Sequence, residues 1–221
     1  MVRRSGMTFA LLVLFLLSAS LAGASSVDLL TFEGLKNGQM VGNFYNGGGS
    51  AATPNFGVTF SSSVYALWPV FEGGAGNFSA TLLGTPAIFI NGITGSSSIG
   101  SMNVTGGFNS GINFFYTAAF KETITVWSGA NGTGTILATL AVGPNDSNCT
   151  TVGFCNWSDI GLSFSGTAQS VTFSGPANTL GISDITLGQS TSAIPEPSSF
   201  YLLGTGLAGF CIQQLRRLRR G

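Results

Sequence analysis

Residues 111–142 read GINFFYTAAFKETITVWSGANGTGTILATLAV, and they have the clearest alternation of apolar residues in the chain. In the first part of this stretch Ile112, Phe114 and Tyr116 alternate with other residues, so all three lie on one face of an extended chain. An apolar period of two residues is typical of a β-strand that buries one face. The sequence therefore predicts a strand here, with these three side chains in a core.

The same stretch continues with a second strand and a glycine-rich turn. Ile124 and Val126 again share one face, and GANGTG at residues 129–134 has the composition of a tight turn before a third apolar segment. Lys121 and Glu122 stand between the first two strands. This placement predicts a charged hairpin turn that joins neighbouring strands.

Short segments of the same kind recur on both sides of this stretch, at steps that suit strands. They are LLTFE, FGVTFSS, AIFI, SMNVT, GLSFS, SVTFS and GISDITLG. Glycine is abundant, and no window between Ser25 and Ala193 has a convincing helical period. We predict an all-β fold, an antiparallel β-sandwich of jelly-roll-like type, formed by one domain over residues 25–190.

The inventory of reactive side chains argues against an enzyme. The chain has no histidine, which excludes the usual serine and cysteine triads, histidine general bases and most zinc sites. The alternative class is a secreted hydrolase acting on polysaccharide, which needs two carboxylates across a cleft. Turn caps, solvated surface groups or calcium ligands explain the sparse acids better than a catalytic pair does. We predict no catalytic residue and no organic cofactor.

Charge is unevenly distributed along the chain. Six of the eight basic residues lie near the two ends, so residues 25–193 hold two lysines and seven acids, a net charge of −5. A domain without a basic patch is a poor partner for phosphates, so nucleic-acid binding is not expected. Trp68, Trp127 and Trp157 have two interpretations, stacking on sugar rings or packing in the core.

The N-terminus has the features of a secretory signal peptide. A basic start is followed by the apolar run FALLVLFLLSASLA at residues 9–22, and Ala22-Gly23-Ala24 fits the small-x-small cleavage rule. The alternative is an N-terminal membrane anchor, but the run is shorter than the roughly 20 residues that span a membrane. We predict a signal peptide over residues 1–24 and therefore contact with the export machinery.

The C-terminus has the features of a stop-transfer segment. Residues 199–215 are predominantly apolar and uncharged, which predicts a transmembrane segment; a buried C-terminal helix and a glycolipid-anchor signal are the alternatives. The basic tail of residues 216–221 would hold this end in the cytoplasm, through the arginines Arg216, Arg217, Arg219 and Arg220. We predict a precursor held in the membrane with its domain outside.

A short motif lies just before the predicted span, in a linker of residues 191–198. Pro195, Glu196 and Pro197 form an extended segment, because proline fixes its own backbone and pushes the preceding residue toward extended geometry. With the span, the arginines and the signal peptide, this tail resembles the sorting signal of the PEP-CTERM proteins of bacteria. The resemblance implies recognition and cleavage by an exosortase-like membrane protease, and a final location at the cell surface, in the envelope or in an exopolysaccharide matrix.

A second resemblance covers most of the predicted domain. The segments LLTFEGLKNGQMVGNFYNGG, FFYTAAFKETITVWSGANGTGTILATL and SVTFSGPANTLGISDITLG look like the sandwich domain found in many PEP-CTERM proteins, which is similar in outline to carbohydrate-binding modules. The resemblance implies a non-enzymatic structural or carbohydrate-binding role and makes extracellular polysaccharide a partner.

Two of the three cysteines are close in the sequence. Cys149 and Cys155 enclose five residues, and an exported compartment favours oxidation, so we predict a disulfide between them. Cys211 lies within the predicted span, where the alternatives are a lipidation site and a small apolar residue.

A structural calcium site is a further hypothesis. Glu33 lies in the first apolar segment of the domain and Asp184 in the last, and a jelly-roll can bring these two segments side by side. Calcium prefers several oxygen ligands from carboxylates and carbonyls. The alternative is that Asp184 caps a turn and Glu33 faces solvent.

Overall fold

The computed structural model describes residues 28–49, 55–81, 83, 86–90 and 97–189. Over these residues the chain is all-β, with three short helical turns at Phe44–Gly48, Val70–Glu72 and Ala130–Gly132. The strands are β1 Asp28–Leu30, β2 Gln39–Met40, β3 Val58–Phe60, β4 Val64–Leu67, β5 Ala87–Ile90, β6 Ser97–Phe108, β7 Gly111–Ala118, β8 Glu122–Gly129, β9 Thr133–Val142, β10 Ser158–Ser163, β11 Ala168–Pro176 and β12 Leu180–Leu187.

The strands form two antiparallel sheets. The seven-stranded sheet has the order β10-β7-β12-β5-β4-β2, with β1 also paired to β12. The five-stranded sheet has the order β3-β6-β11-β8-β9. Successive strands change sheet repeatedly, so most neighbours within a sheet are far apart along the chain. The predicted all-β class with two antiparallel sheets is confirmed.

One apolar core lies between the two sheets. Alternate residues of the longer strands point into it, as the period of two predicted for Ile112, Phe114 and Tyr116 requires. The ring of Phe114 on β7 meets that of Phe173 on β11 edge to face, with centroids 6.1 Å apart. This contact joins the two sheets, and the buried aromatic rings contribute about 0.5–1.5 kcal/mol beyond the area they bury.

The predicted hairpin at Lys121 and Glu122 is wrong. β7 pairs with β10 and β12, whereas β8 pairs with β9 and β11, so residues 119–121 carry the chain from one sheet to the other. Glu122 is buried, with its carboxylate 2.5 Å from the hydroxyl of Thr179, rather than solvated in a turn. A carboxylate placed on the inward side of its strand cannot reach water, and Thr179 supplies the hydrogen bond that water would have made.

The glycine-rich turn was placed correctly. β8 and β9 form an antiparallel hairpin, and their connection contains Asn131 in the left-handed conformation at φ 56°. Asparagine tolerates this conformation better than most residues, which explains its place in the turn. This turn lies against β11 and β6.

Several predictions concern segments outside the described residues. These are the signal peptide at 1–24, the linker at 191–198, the span at 199–215 and the basic tail at 216–221. None of the short helical turns in the described ranges has the length and apolar character of a membrane span. The sorting motif and the terminal arginines therefore remain sequence predictions.

Candidate functional site

The outer face of the seven-stranded sheet carries an unusual set of side chains on β7. Ile112, Phe114 and Tyr116 point into the core, so Asn113, Phe115 and Thr117 point outwards. Asn113 and Thr117 are nevertheless buried, whereas Phe115 between them is half-buried.

A carboxylate stands directly beside Phe115. Asp159 on β10 is its cross-strand partner and is exposed. The amide of Asn113 donates a hydrogen bond of 2.7 Å to Oδ1 of Asp159. This bond fixes a solvent-facing carboxylate next to an aromatic ring, and the side-chain entropy of the aspartate is lost before any ligand arrives.

Trp157 completes this group on the same edge of the sheet. It lies two residues before Asp159, so both side chains are on the outer face of an extended segment. We call Asn113, Phe115, Trp157 and Asp159 the outer-face site. It combines two aromatic rings, one carboxylate and one amide.

Two buried polar atoms on β7 have no hydrogen-bond partner in the described structure. They are Oδ1 of Asn113 and Oγ1 of Thr117, which flank Phe115 on the outer face. An unsatisfied buried polar atom costs about 1–3 kcal/mol. The sheet therefore retains hydrogen-bonding capacity beside Phe115 that the fold does not use.

One end of the outer-face site is bounded by two paired segments, residues 77–79 and 153–157, which we call the cover. Phe78 and Phe154 form a parallel bridge, and the amide of Ser79 donates to the Phe154 carbonyl at 2.8 Å. Phe78 packs on Phe89 of β5 at 5.4 Å and on Trp157 at 5.9 Å. The cover thus buries a small second core against the outer face.

The cover is fastened to the strands by a disulfide loop. Cys149 and Cys155 form a disulfide with their Cα atoms 5.4 Å apart. Asn145 ties the start of this loop to the sheet, because its Oδ1 accepts from the amide of Ala118 at 2.8 Å and its amide donates to the carbonyl of Tyr116 at 3.1 Å. The position of Trp157 is therefore fixed from both sides.

The three tryptophans are all half-buried, between the two predicted interpretations. The indole N–H of Trp157 donates to the Ser79 carbonyl at 3.2 Å, and that of Trp68 donates to the Leu35 carbonyl at 2.9 Å. Trp127 donates to a side chain on the outer face of the five-stranded sheet. Because each N–H is paired within the fold, a ligand would contact the rings rather than the N–H groups.

Glu33 and Asp184 lie near one phenol. Tyr45 is buried, and its hydroxyl accepts the amide of Phe32 at 2.6 Å. The pKa of Tyr45 is raised to about 12, mainly by burial and in smaller part by the negative charges of Asp184 and Glu33. Both carboxylates are thus within electrostatic reach of the same group.

Asp184 occupies an irregular part of β12. One edge of β12 pairs with β5 at residues 181–182 and with β1 at residues 185–187, and Asp184 falls between them in the left-handed conformation, at φ 53°. Its carboxylate accepts from the hydroxyl of Ser183 at 3.0 Å. The alternative that Asp184 caps a turn is therefore wrong, because the residue is buried within a strand.

Glu33 is exposed, and it follows β1 rather than lying in it as predicted. No group of three or more histidine, cysteine, aspartate or glutamate side chains in the described ranges could hold a metal ion. A calcium ion at Glu33 and Asp184 would need backbone carbonyls for most of its ligands. The calcium site stays a prediction.

A separate pocket of about 340 Å³ lies at the turn after β2. It has no titratable side chain, and its lining residues are Gln39, Met40, Val41, Gly42, Asn43, Phe44 and Gly48. It offers amide and apolar contacts but no fixed charge.

Comparison with known proteins gives no family. No family model matches the chain, and no curated protein matches it. Among solved structures, a family 29 carbohydrate-binding module is similar with a TM-score of 0.39 and 16% identity, over 74% of this chain and 91% of the module. A family 6 carbohydrate-binding module is similar with a TM-score of 0.39 and 12% identity, over 74% and 94%. Similarity at this level assigns neither a ligand nor a residue role.

Asn113, Phe115 and Asp159 were not predicted from the sequence as site residues. The available signal was the outward position of an asparagine and a phenylalanine in a strand whose other face is apolar. Any strand with one apolar face is expected to carry polar or mixed residues on its other face. The alternation therefore does not distinguish a binding site from an ordinary solvent-facing surface. The strand register that brings Asp159 opposite Phe115 supplies the missing information.

Proposed function

We propose that this chain is an exported, non-enzymatic protein that binds polysaccharide at the outer-face site. The observation that carries the proposal is the exposed carboxylate of Asp159, held by Asn113 beside the half-buried ring of Phe115. Aromatic rings bind the apolar faces of sugar rings, and a fixed carboxylate accepts hydrogen bonds from sugar hydroxyls. The alternation of strands between the two sheets also supports a jelly-roll-like fold.

Each residue of the site has a distinct part in this proposal. Phe115 and Trp157 provide apolar ring surface, and Asp159 accepts from neighbouring hydroxyls of one sugar unit. Asn113 is a positioning residue, because its amide holds the carboxylate while its own carbonyl oxygen is buried. The prior fixing of Asp159 lowers the entropy lost when a sugar binds.

The geometry favours binding over the alternative of a polysaccharide hydrolase. Glycoside hydrolysis needs an acid and a second carboxylate on opposite sides of the scissile bond. Among the described strand residues on this outer face, Asp159 carries the exposed carboxylate, and Asp184 is buried. One accessible carboxylate orients a sugar but does not complete that pair.

Affinity electrophoresis of the full-length chain tests the binding site. Gels would contain galactomannan, hydroxyethylcellulose or alginate, and we expect at least one of them to retard the wild-type chain. Asp159→Ala and Phe115→Ala should each weaken binding at this site by about tenfold or more, the loss of about 1.4 kcal/mol. Glu72→Gln is the matched control, since it removes an exposed acid from the turn at Val70–Glu72. Equal retardation of wild type, Asp159→Ala and Phe115→Ala would contradict the proposed site.

We propose further that the chain is sorted through its C-terminal signal. An exosortase-like protease would cut near Pro195, Glu196 and Pro197, after the export machinery has passed the domain across the membrane and the span has stopped it. The processed protein would then reside at the cell surface or in the extracellular matrix. The support is the order of motif, apolar segment and arginines in the sequence.

Mass spectrometry of the C-terminus in the native host tests sorting independently of binding. The wild-type protein should lack the arginine tail, whereas replacement of residues 195–197 by alanine should leave an uncut precursor in the membrane. A control with alanine at residues 190–192 keeps the motif and should mature normally. Maturation of the motif variant at the wild-type rate would exclude this sorting route.

A further inference from the structure

The outer face of the five-stranded sheet differs in chemistry from the opposite face of the sandwich. Its five strands contain one charged residue, Glu122, and that residue is buried. The outward positions carry mainly hydroxyls, such as Thr123 on β8, Thr139 on β9 and Ser174 on β11. This sheet therefore presents an uncharged, hydroxyl-bearing surface although the predicted mature domain has a net charge of −5.

Trp127 is the aromatic side chain on this surface, and its ring is held in place. Its indole N–H donates to Oγ1 of Thr172 on the neighbouring strand β11 at 2.9 Å. A Cβ added at Gly132 would lie 3.7 Å from the indole nitrogen and 2.9 Å from a methyl carbon of Thr172. The β8 and β9 turn thus packs close to one edge of the indole, and the ring remains half-buried.

The same turn covers part of the outer face of the five-stranded sheet. Gly132 donates its amide to the hydroxyl of Ser170 on β11 at 3.0 Å, and Asn131 exchanges two hydrogen bonds with Asn103 on β6, at 2.9 and 2.7 Å. The turn therefore reaches over two further strands from its own hairpin. A polysaccharide chain lying on the sheet would contact the ring of Trp127 next to this turn.

From this geometry we propose that Trp127 and the hydroxyls around it form a second glycan site, for an uncharged polysaccharide chain. A fixed, partly exposed indole suits stacking of a pyranose ring, and the neighbouring hydroxyls both donate to and accept from sugar hydroxyls. The absence of charge on these strands favours a neutral chain, because no cation is present to offset an acidic one.

The two sites lie on opposite faces of the sandwich, so one domain joins two polysaccharide chains. This cross-linking rests on the proposed function of the outer-face site, whereas binding at Trp127 does not. Two sites that engage one network raise the overall avidity without new contacts at either site.

The test uses the full-length chain and galactomannan as the neutral probe, with alginate as the acidic one. In affinity electrophoresis, the Phe115→Ala chain should still be retarded by galactomannan, and adding Trp127→Ala should reduce that remaining affinity at least tenfold. Thr139→Arg places a bulky charge at an exposed position of this surface and should weaken the same binding. This second variant tests the site if Trp127→Ala impairs folding. Asn109→Arg, in an exposed turn, is the matched control and should bind as Phe115→Ala does.

The outcomes separate the two proposals. Loss of all binding in Phe115→Ala overturns the Trp127 site and leaves the outer-face site standing. Full binding in Phe115→Ala that Trp127→Ala abolishes supports the Trp127 site and overturns the outer-face site. Stronger retention of Phe115→Ala by alginate than by galactomannan overturns the neutral-chain proposal, and a wild-type chain bound by none of galactomannan, hydroxyethylcellulose and alginate overturns both sites.

Cross-linking has its own readout. The wild-type chain should raise the viscosity of a galactomannan solution, and Phe115→Ala and Trp127→Ala should each lose that increase while each still binds. An unchanged viscosity increase in both single variants overturns the bridging role.

Discussion

Removing the disulfide between Cys149 and Cys155 should destabilise the domain by an amount that the loop length sets. The two cysteines are 6 residues apart, and for a closed loop of that size the chain-entropy relation gives about 2 kcal/mol. In a domain of this size, 1 kcal/mol shifts the melting temperature by about 2–4 °C. The double serine variant should therefore melt about 4–8 °C below the wild-type chain.

The structure also predicts which part of the domain loosens when the disulfide is removed. Cys155 lies in the cover next to Phe154, whose ring packs on Phe89 at 5.7 Å. Loosening this loop should expose Trp157, whose N–H donates to Ser79 in the other cover segment. Thermal unfolding followed by circular dichroism measures the loss of stability, and acrylamide quenching of tryptophan fluorescence reports the opening of the cover below the melting temperature.

Cys211→Ser is the matched control, because it removes the third cysteine and leaves the loop intact. It should melt with the wild-type chain. The double variant should still bind polysaccharide well below its melting temperature, because Phe115 and Asp159 belong to strands β7 and β10. Identical melting of the double variant and the Cys211→Ser control, with the Cys149–Cys155 disulfide shown to be intact in the control, would contradict this prediction.

Two further predictions concern buried carboxylates. Burial raises the pKa of Glu122, while its hydrogen bond from Thr179 opposes the shift, so the folded state favours the protonated form and stability should fall as pH rises through the raised pKa. Above the raised pKa, Glu122→Gln should be more stable than the wild-type chain in urea denaturation, and it should lose the pH dependence; parallel pH profiles of the two chains would contradict this. Calcium should raise the melting temperature of the wild-type chain, and Asp184→Ala should abolish the rise; equal melting in calcium and in chelator removes the calcium site at Asp184 and Glu33.

The strands themselves could be predicted from the sequence because their signal is local. Ile112, Phe114 and Tyr116 repeat at a period of two, and a period of two has one structural cause, a strand with one buried face. The turn at residues 129–134 was equally predictable, since glycine and asparagine there adopt left-handed backbone conformations that other residues avoid.

The pairing of the strands could not be predicted in the same way. Two consecutive strands with inward apolar residues look alike whether they pair in one sheet or face each other across a core. The polar pair at Lys121 and Glu122 suggested a solvated hairpin, but the chain crosses between the sheets there and buries Glu122. The hydroxyl that pairs with the buried carboxylate belongs to Thr179, which lies 57 residues further along the chain.

The candidate site could not be predicted either, because it also depends on how distant strands pair. Asn113 and Asp159 are 46 residues apart and meet because β10 pairs with β7 in one particular register. A shift of one residue in that register would turn Asp159 toward the core and Ile160 toward solvent, which the apolar core does not permit. The packing of Ile160 against the core therefore fixes the position of the Asp159 carboxylate. The residues that form the core thus also determine the outer-face site, and a variant that shifts β10 should lose polysaccharide binding even when all four site residues are unchanged.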